Sequence, residues 1–112
     1  MTDKQGVIKM ATRHNEEVRK QIARLKREGF TSIKAAILGY EPPGPIGKDN
    51  RIPDVEAAKR SKRVIAEIEE EDQVSSQKDQ ISAFRRHAAQ KKGTEFILRT
   101  YRKRKPGSKR LH

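Results

Sequence analysis

Two runs decide how this chain reads: Ile52-Pro53-Asp54 and, after a short basic segment, Val64-Ile65-Ala66-Glu67-Ile68-Glu69. The second is strand-like in composition, and side chains on a strand alternate between faces. Glu67 and Glu69 therefore project to one side and Ile68 to the other. Pro53 fits the beginning of a strand, where a missing backbone donor is tolerated. The reading is two strands, Ile52 to Ala58 and Arg63 to Glu69, joined by a turn at Lys59-Arg60-Ser61-Lys62. If these strands pair antiparallel, Asp54 stands beside Glu67, and carboxylates gather in a chain otherwise rich in lysine and arginine.

Periodicity supplies the flanking elements. From Thr12 onward, Val18, Ile22 and Leu25 recur at helical spacing among charged residues, giving one narrow apolar stripe. Thr12 or Asn15 is the candidate cap, and Gly29 the candidate stop. Phe30 to Leu38 is predicted as a strand with Ile33, Ala35 and Ile37 on one side. Gly39-Tyr40-Glu41-Pro42-Pro43-Gly44-Pro45 then breaks regular structure and opens a loop to Arg51. Beyond Glu70-Glu71-Asp72 the spacing of Ile81, Phe84 and Ala88 predicts a second helix, capped by Ser75 or Ser76 and ended by Lys91-Lys92-Gly93. Thr94 to Tyr101 is the last strand. The predicted order is helix, three strands, helix, strand, an α/β domain over residues 12–101. Residues 1–11 form a loose lead-in, and a basic tail over residues 102–112 is expected to be disordered when free.

With 112 residues there is room for one domain and a modest core. The formal charge of +12 suits a polyanionic partner, because a Lys/Arg surface gains affinity by releasing counterions from nucleic acid. DNA is expected ahead of RNA. The low aromatic content, 4%, argues against a base-stacking platform for single strands and favours duplex or branched backbone recognition. No apolar run is long enough to span a bilayer and there is no signal-peptide core, so no membrane partner is expected and the protein reads as soluble and intracellular. Cysteine is absent, which leaves oxygen as the expected ligand of any metal.

Asp54, Glu67 and a neighbouring backbone carbonyl form a suitable oxygen set for Mg²⁺ (or Mn²⁺), a hard cation that keeps several waters and takes further ligands from phosphate. At this point the sequence resembles the Pro-Asp…Asp/Glu-X-Lys (PD-(D/E)XK) nuclease superfamily, the restriction-endonuclease-like fold. Pro53-Asp54 matches the first half-motif and Glu67-Ile68-Glu69 the second. The resemblance covers roughly Asn15 to Tyr101 and implies an αβββαβ core with a mixed four-stranded sheet, and a metal-dependent endonuclease that hydrolyses phosphodiester bonds. It implies that Asp54, Glu67 and Glu69 hold the metal, that Glu17 or Glu16 on the first helix adds to the shell, with Glu17 assigned, and that Gln77 or Gln80 lies near the site, with Gln77 assigned. One departure stands out: Glu69 occupies the place of the usual lysine. A glutamate there accepts a proton from water or binds a second cation rather than supplying positive charge. A homodimer is expected if both strands of a duplex are cut.

Each residue also has a plainer reading. Asp54 can be a strand-start residue, and Glu67 and Glu69 a solvated strand face balanced by lysines. Yet the third strand is apolar enough to be central, where unpaired carboxylates are costly. His14 and His87 lie on charged helices and read as surface residues. Arg85, Arg86, Arg99, Arg102, Lys103, Arg104 and Lys105 form the expected phosphate-contacting set. Two other functional readings remain. One is a non-catalytic nucleic-acid-binding protein with a degenerate nuclease fold, which Glu69 favours. The other is an RNA-associated protein whose charge and tail carry all binding.

Overall fold

The computed structural model describes residues 12–102. The lead-in over residues 1–11 and the basic tail beyond Arg102, including Lys103, Arg104 and Lys105, lie outside the described residues. The element order is α1 (Thr12–Arg27), β1 (Ser32–Ala35), β2 (Val55–Lys59), β3 (Lys62–Glu70), α2 (Lys78–Gln90) and β4 (Thr94–Tyr101). Two single 3₁₀ turns, Glu71–Gln73 and Ser75–Gln77, join β3 to α2. This is a mixed α/β domain.

The four strands form one sheet in the order β1-β2-β3-β4. β1, β2 and β3 are an antiparallel meander, with Ala35 opposite Val55 and Val55 opposite Ala66. β4 returns through α2 and runs parallel to β3, with Ile65 opposite Phe96 and Glu67 opposite Leu98. A parallel neighbour requires such a crossover, and the helix supplies it.

Residues opposite one another share a face, so the register divides the sheet cleanly. Val55, Ala57, Val64, Ala66 and Ile68 face α1 and pack with Val18, Ile22 and Leu25; Phe30, Ala35 and Ile37 complete that core. Ile65 and Phe96 lie on the other face, where Phe84 of α2 meets Phe96 at 6.0 Å between ring centroids. Glu67 and Glu69 belong to this α2 face, as the alternation predicts. Helix α1 ends where Gly29 takes φ +94°. The Phe30 N–H reaches Leu25 O at 3.0 Å and the Gly29 N–H reaches Lys26 O at 3.0 Å, a Schellman closure that drops Phe30 and Leu25 into the same core.

Several boundaries differ from the sequence reading. β1 stops at Ala35: the Ala36 N–H still meets the Asp54 carbonyl at 3.0 Å, one step further along the β1–β2 register, and the chain then turns back so that the Glu41 carbonyl takes the Ala35 N–H on the outer edge of the sheet. Ile37 is buried without being in a strand. β2 begins at Val55, so Pro53 and Asp54 precede it. Helix α2 begins at Lys78, and neither Ser75 nor Ser76 caps it; Ser76 Oγ bonds back to Gln73 O at 2.9 Å. Asn15 lies inside α1. No helix among the described residues is long and apolar enough to cross a membrane.

Candidate carboxylate site

β2 ends its pairing with β3 at Val55–Ala66, but β3 runs on to Glu70. On a strand, the N–H and C=O of one residue point to the same neighbour. Those of Ile68 therefore point into the gap that opens where β2 stops. Asp54 closes half of the gap: its Oδ2 accepts the Ile68 N–H at 2.8 Å. His14, in the first turn of α1, closes the other half. Its Nε2 lies 3.0 Å from Ile68 O and 3.4 Å from Asp54 Oδ2. A carbonyl oxygen only accepts, so His14 Nε2 carries the hydrogen.

Glu67 lies on the other side of Asp54. Its Oε1 accepts the Asp54 backbone N–H at 3.2 Å and its Oε2 accepts Gln80 Nε2 at 2.7 Å. Glu67 is 3% exposed. Burial, and after it the charge of Asp54, push its carboxyl up to about 8, although both hydrogen bonds favour the ionised form. Burial alone would lower the His14 imidazole. The hydrogen bond to Asp54, the Asp54 charge and the Ile68 carbonyl outweigh it and raise His14 to about 9. Glu69 is raised by burial and then by the charge of Asp54, and lowered by that of His14. Tyr101, whose ring centroid lies 6.3 Å from that of His14, is raised by burial and then by the charges of Glu70, Glu69 and Asp54.

Asp54 and Glu67 are thus brought together as the two runs of sequence imply. Glu69 is not brought into the same tight group, since it stands one pleat repeat, roughly 7 Å, further along β3. Among the described residues, no three His, Cys, Asp or Glu side chains converge closely enough to hold a metal ion by themselves. Glu17 is turned aside as well, paired with Arg13 at 3.2 Å and Lys20 at 3.1 Å. The glutamine that reaches Glu67 is Gln80, not Gln77, because α2 starts only at Lys78 and Gln77 still belongs to the preceding 3₁₀ turn.

The reading of His14 as a surface residue is overturned by its contacts. The signal was present: His14 stands one helical turn before Val18 and so continues the Val18–Ile22–Leu25 stripe towards the sheet. Gln21 was also missed. It is 1% exposed, and its Oε1 accepts Arg99 Nε at 3.0 Å and Arg24 Nη1 at 3.1 Å. Arg99 is therefore tied to α1 on the face opposite Glu67, apart from the other arginines of the expected phosphate surface. Arg85 lies over the Phe96 ring at 5.4 Å, and Arg102 pairs with Glu71 at 3.4 Å. Arg86 has a different setting: with Lys48, Asp49, His87 and Gln90 it lines a cleft of about 260 Å³ between the loop at Ile46–Gly47 and α2.

Compared with family models, curated proteins and solved structures, the chain matched none.

Chemically, the arrangement offers two adjoining carboxylates, one deeply buried, beside an inward-facing backbone carbonyl. Such a pair repels itself when both members are ionised, and three neutralisers are within reach: a proton on Glu67, the imidazolium of His14, or a cation.

Proposed function

We propose that the protein is a metal-dependent endonuclease with the restriction-endonuclease-like arrangement, acting on phosphodiester bonds of DNA. The observation that carries this reading is the adjacency of Asp54 and Glu67. Glu67 Oε1 accepts the Asp54 N–H at 3.2 Å and Asp54 Oδ2 accepts the Ile68 N–H at 2.8 Å, so the two residues adjoin where β2 begins, and burial together with the charge of Asp54 holds a proton on Glu67 up to about pH 8. A buried carboxyl with no basic partner is costly in a purely structural role, whereas a divalent cation would release the proton and use the charge. The donor set fits Mg²⁺ or Mn²⁺: Asp54, Glu67 and the Ile68 carbonyl are hard oxygens, and Mg²⁺ needs no third side chain because waters and substrate phosphate complete its shell.

When bound, such an ion supplies a water of lowered pKa and stabilises charge on the phosphoryl oxygens. The chain's own residues do the rest. Gln80 fixes the Glu67 carboxylate through Oε2, and the Asp54 N–H fixes it through Oε1. Glu69, half-buried one pleat repeat away, orients water and accepts its proton in this reading, the role left to a carboxylate where nucleases of the restriction-endonuclease-like fold carry lysine. Lys48 and Arg86, which have no ion pair among the described residues, offer positive charge to the substrate backbone. Gln80 and His87 are two turns apart on α2, so the cleft lies roughly 10 Å along the helix from the carboxylates. That separation suits a phosphate close to the one attacked.

The test is nicking of supercoiled plasmid and branched DNA with Mg²⁺ or Mn²⁺ by the native protein, Asp54→Ala and Glu67→Ala. Loss of cleavage in both variants supports the site, and equal activity in all three removes it. A second reading, a non-catalytic nucleic-acid-binding protein, is favoured by a specific observation: His14, Ile68, Gln80 and the Asp54 N–H already satisfy the carboxylates without a cation. Calorimetry separates the two, because a pure binder has no need to take up Mn²⁺ at Asp54 and Glu67.

A further inference from the structure

We propose that His14 is a built-in placeholder for the cation, its Nε2–H seated between Asp54 Oδ2 and the Ile68 carbonyl oxygen, and that it must swing out before a divalent ion can enter. The inference rests on the metal reading above and adds the residue that controls access to that site.

The geometry carries it in three steps. First, Nε2 stands 3.0 Å from an oxygen that can only accept, so in this position the nitrogen presents a hydrogen and no lone pair. His14 as placed is a donor to the site's oxygens and not a ligand. Second, it addresses the oxygens that an entering ion would need, Ile68 O at 3.0 Å and Asp54 Oδ2 at 3.4 Å. A Mg²⁺ ion binds oxygen at roughly 2.0–2.1 Å, and that space is already taken by the imidazole N–H. Third, His14 is able to leave. It lies in the first turn of α1, where backbone N–H groups have no intrahelical partners, and its side chain is 26% exposed. Its withdrawal uncovers Asp54 Oδ2 and Ile68 O together, while Gln80 still holds Glu67.

The placeholder has a physical rationale. With β2 ended at Val55, the Ile68 carbonyl has no ladder partner, and a buried carbonyl left unsatisfied is costly. His14 satisfies it whenever no ion is present, at the expense of metal affinity. Native affinity is then weaker than the oxygen set alone would provide.

The measurement is Mn²⁺ binding, with Mn²⁺ alone as the probe. Free aqueous ion is counted by electron paramagnetic resonance for the native protein, His14→Ala and His14→Gln at one fixed pH, and circular dichroism checks the fold. His14→Ala is expected to bind about tenfold more tightly, the size of one charge-assisted hydrogen bond. His14→Gln retains a weaker donor and is expected to fall between the two. Adding Asp54→Asn to either variant is expected to abolish the gain. Equal or weaker binding in the His14 variants, with the native protein binding, overturns the placeholder and leaves the metal reading standing; weaker binding would make His14 a ligand. If His14→Ala fails to fold, His14→Gln alone decides by the same comparison. Absence of Mn²⁺ binding in all folded variants overturns the metal reading and this inference with it.

Discussion

Replacing Glu67 with glutamine should make the protein more stable at pH 8 and leave it nearly unchanged at pH 4.5. The carboxyl moves from an ordinary 4.5 to about 8 on folding. Between those values the unfolded chain has lost the proton and the folded chain keeps it. The folded state therefore binds more protons, and stability falls as pH rises through this window. Each unit is worth ~1.4 kcal/mol, so the whole shift costs the folded state on the order of 5 kcal/mol by pH 8. That is a large fraction of the roughly 5–15 kcal/mol that holds a domain together. Glutamine has the same shape and no charge; its oxygen keeps the bond from the Asp54 N–H, and its NH₂, in place of Oε2, donates to the Gln80 oxygen once the Gln80 amide turns over. His14 contributes in the same direction over a higher window. Its pKa rises from 6.5 to about 9, so its stabilisation is full below 6.5 and is lost as pH climbs through 9. The interval from pH 4.5 to 6.5 therefore isolates the carboxylates from the imidazole. The assay is urea unfolding of the native protein and Glu67→Gln across pH 4.5 to 9, with chelator present. The difference in unfolding free energy should grow steadily from pH 4.5 to 8 and then level off. A constant difference across that range would refute the reasoning, because it would mean that Glu67 ionises in the folded state as it does in the unfolded chain.

Gln80→Ala leaves Glu67 Oε2 without its donor and should cost about 1–3 kcal/mol in urea unfolding. Gln77→Ala should stay within ~0.5 kcal/mol, and an equal loss from both would undo the assignment of Gln80. Gly93→Ala should destabilise by about 1–3 kcal/mol in thermal unfolding, because the residue has φ +81° and a Cβ would stand 2.5 Å from the Ser61 carbonyl oxygen. A neutral result would mean that the turn between α2 and β4 can move away from the β2–β3 turn. Lys48→Ala combined with Arg86→Ala should weaken binding to duplex DNA uniformly across sequences and reduce the slope of log affinity against log salt by about 2. An unchanged slope would remove the cleft from the nucleic-acid surface.

Much of this architecture is written locally. The Val18–Ile22–Leu25 stripe, the alternation through Glu67-Ile68-Glu69 and the spacing of Ile81, Phe84 and Ala88 are one-dimensional patterns that burial enforces in three dimensions, and each lies on its expected element. The adjacency of Asp54 and Glu67 was legible for the same reason: one antiparallel register brings the residue before Val55 opposite the residue after Ala66. Boundaries were less legible because contacts made by the loops set them. The chain turns back after the in-register Ala36–Asp54 bond so that Glu41 meets the outer edge of β1, and Ser76 bonds back to Gln73 instead of capping α2, neither of which propensity shows.

By itself, then, the sequence determined the class of the domain, the two carboxylates that meet, and the excess of positive charge. Periodicity and composition act residue by residue, so they survive in one dimension. Only the tertiary structure decided which helix residues join the carboxylates. It chose His14 over Glu17 and Gln80 over Gln77, because those choices depend on helix phase and on where a strand stops pairing. When β2 ends at Val55, the backbone of Ile68 is left to be satisfied, and the side chain that donates to its carbonyl is His14, distant in sequence and 3.0 Å away in space.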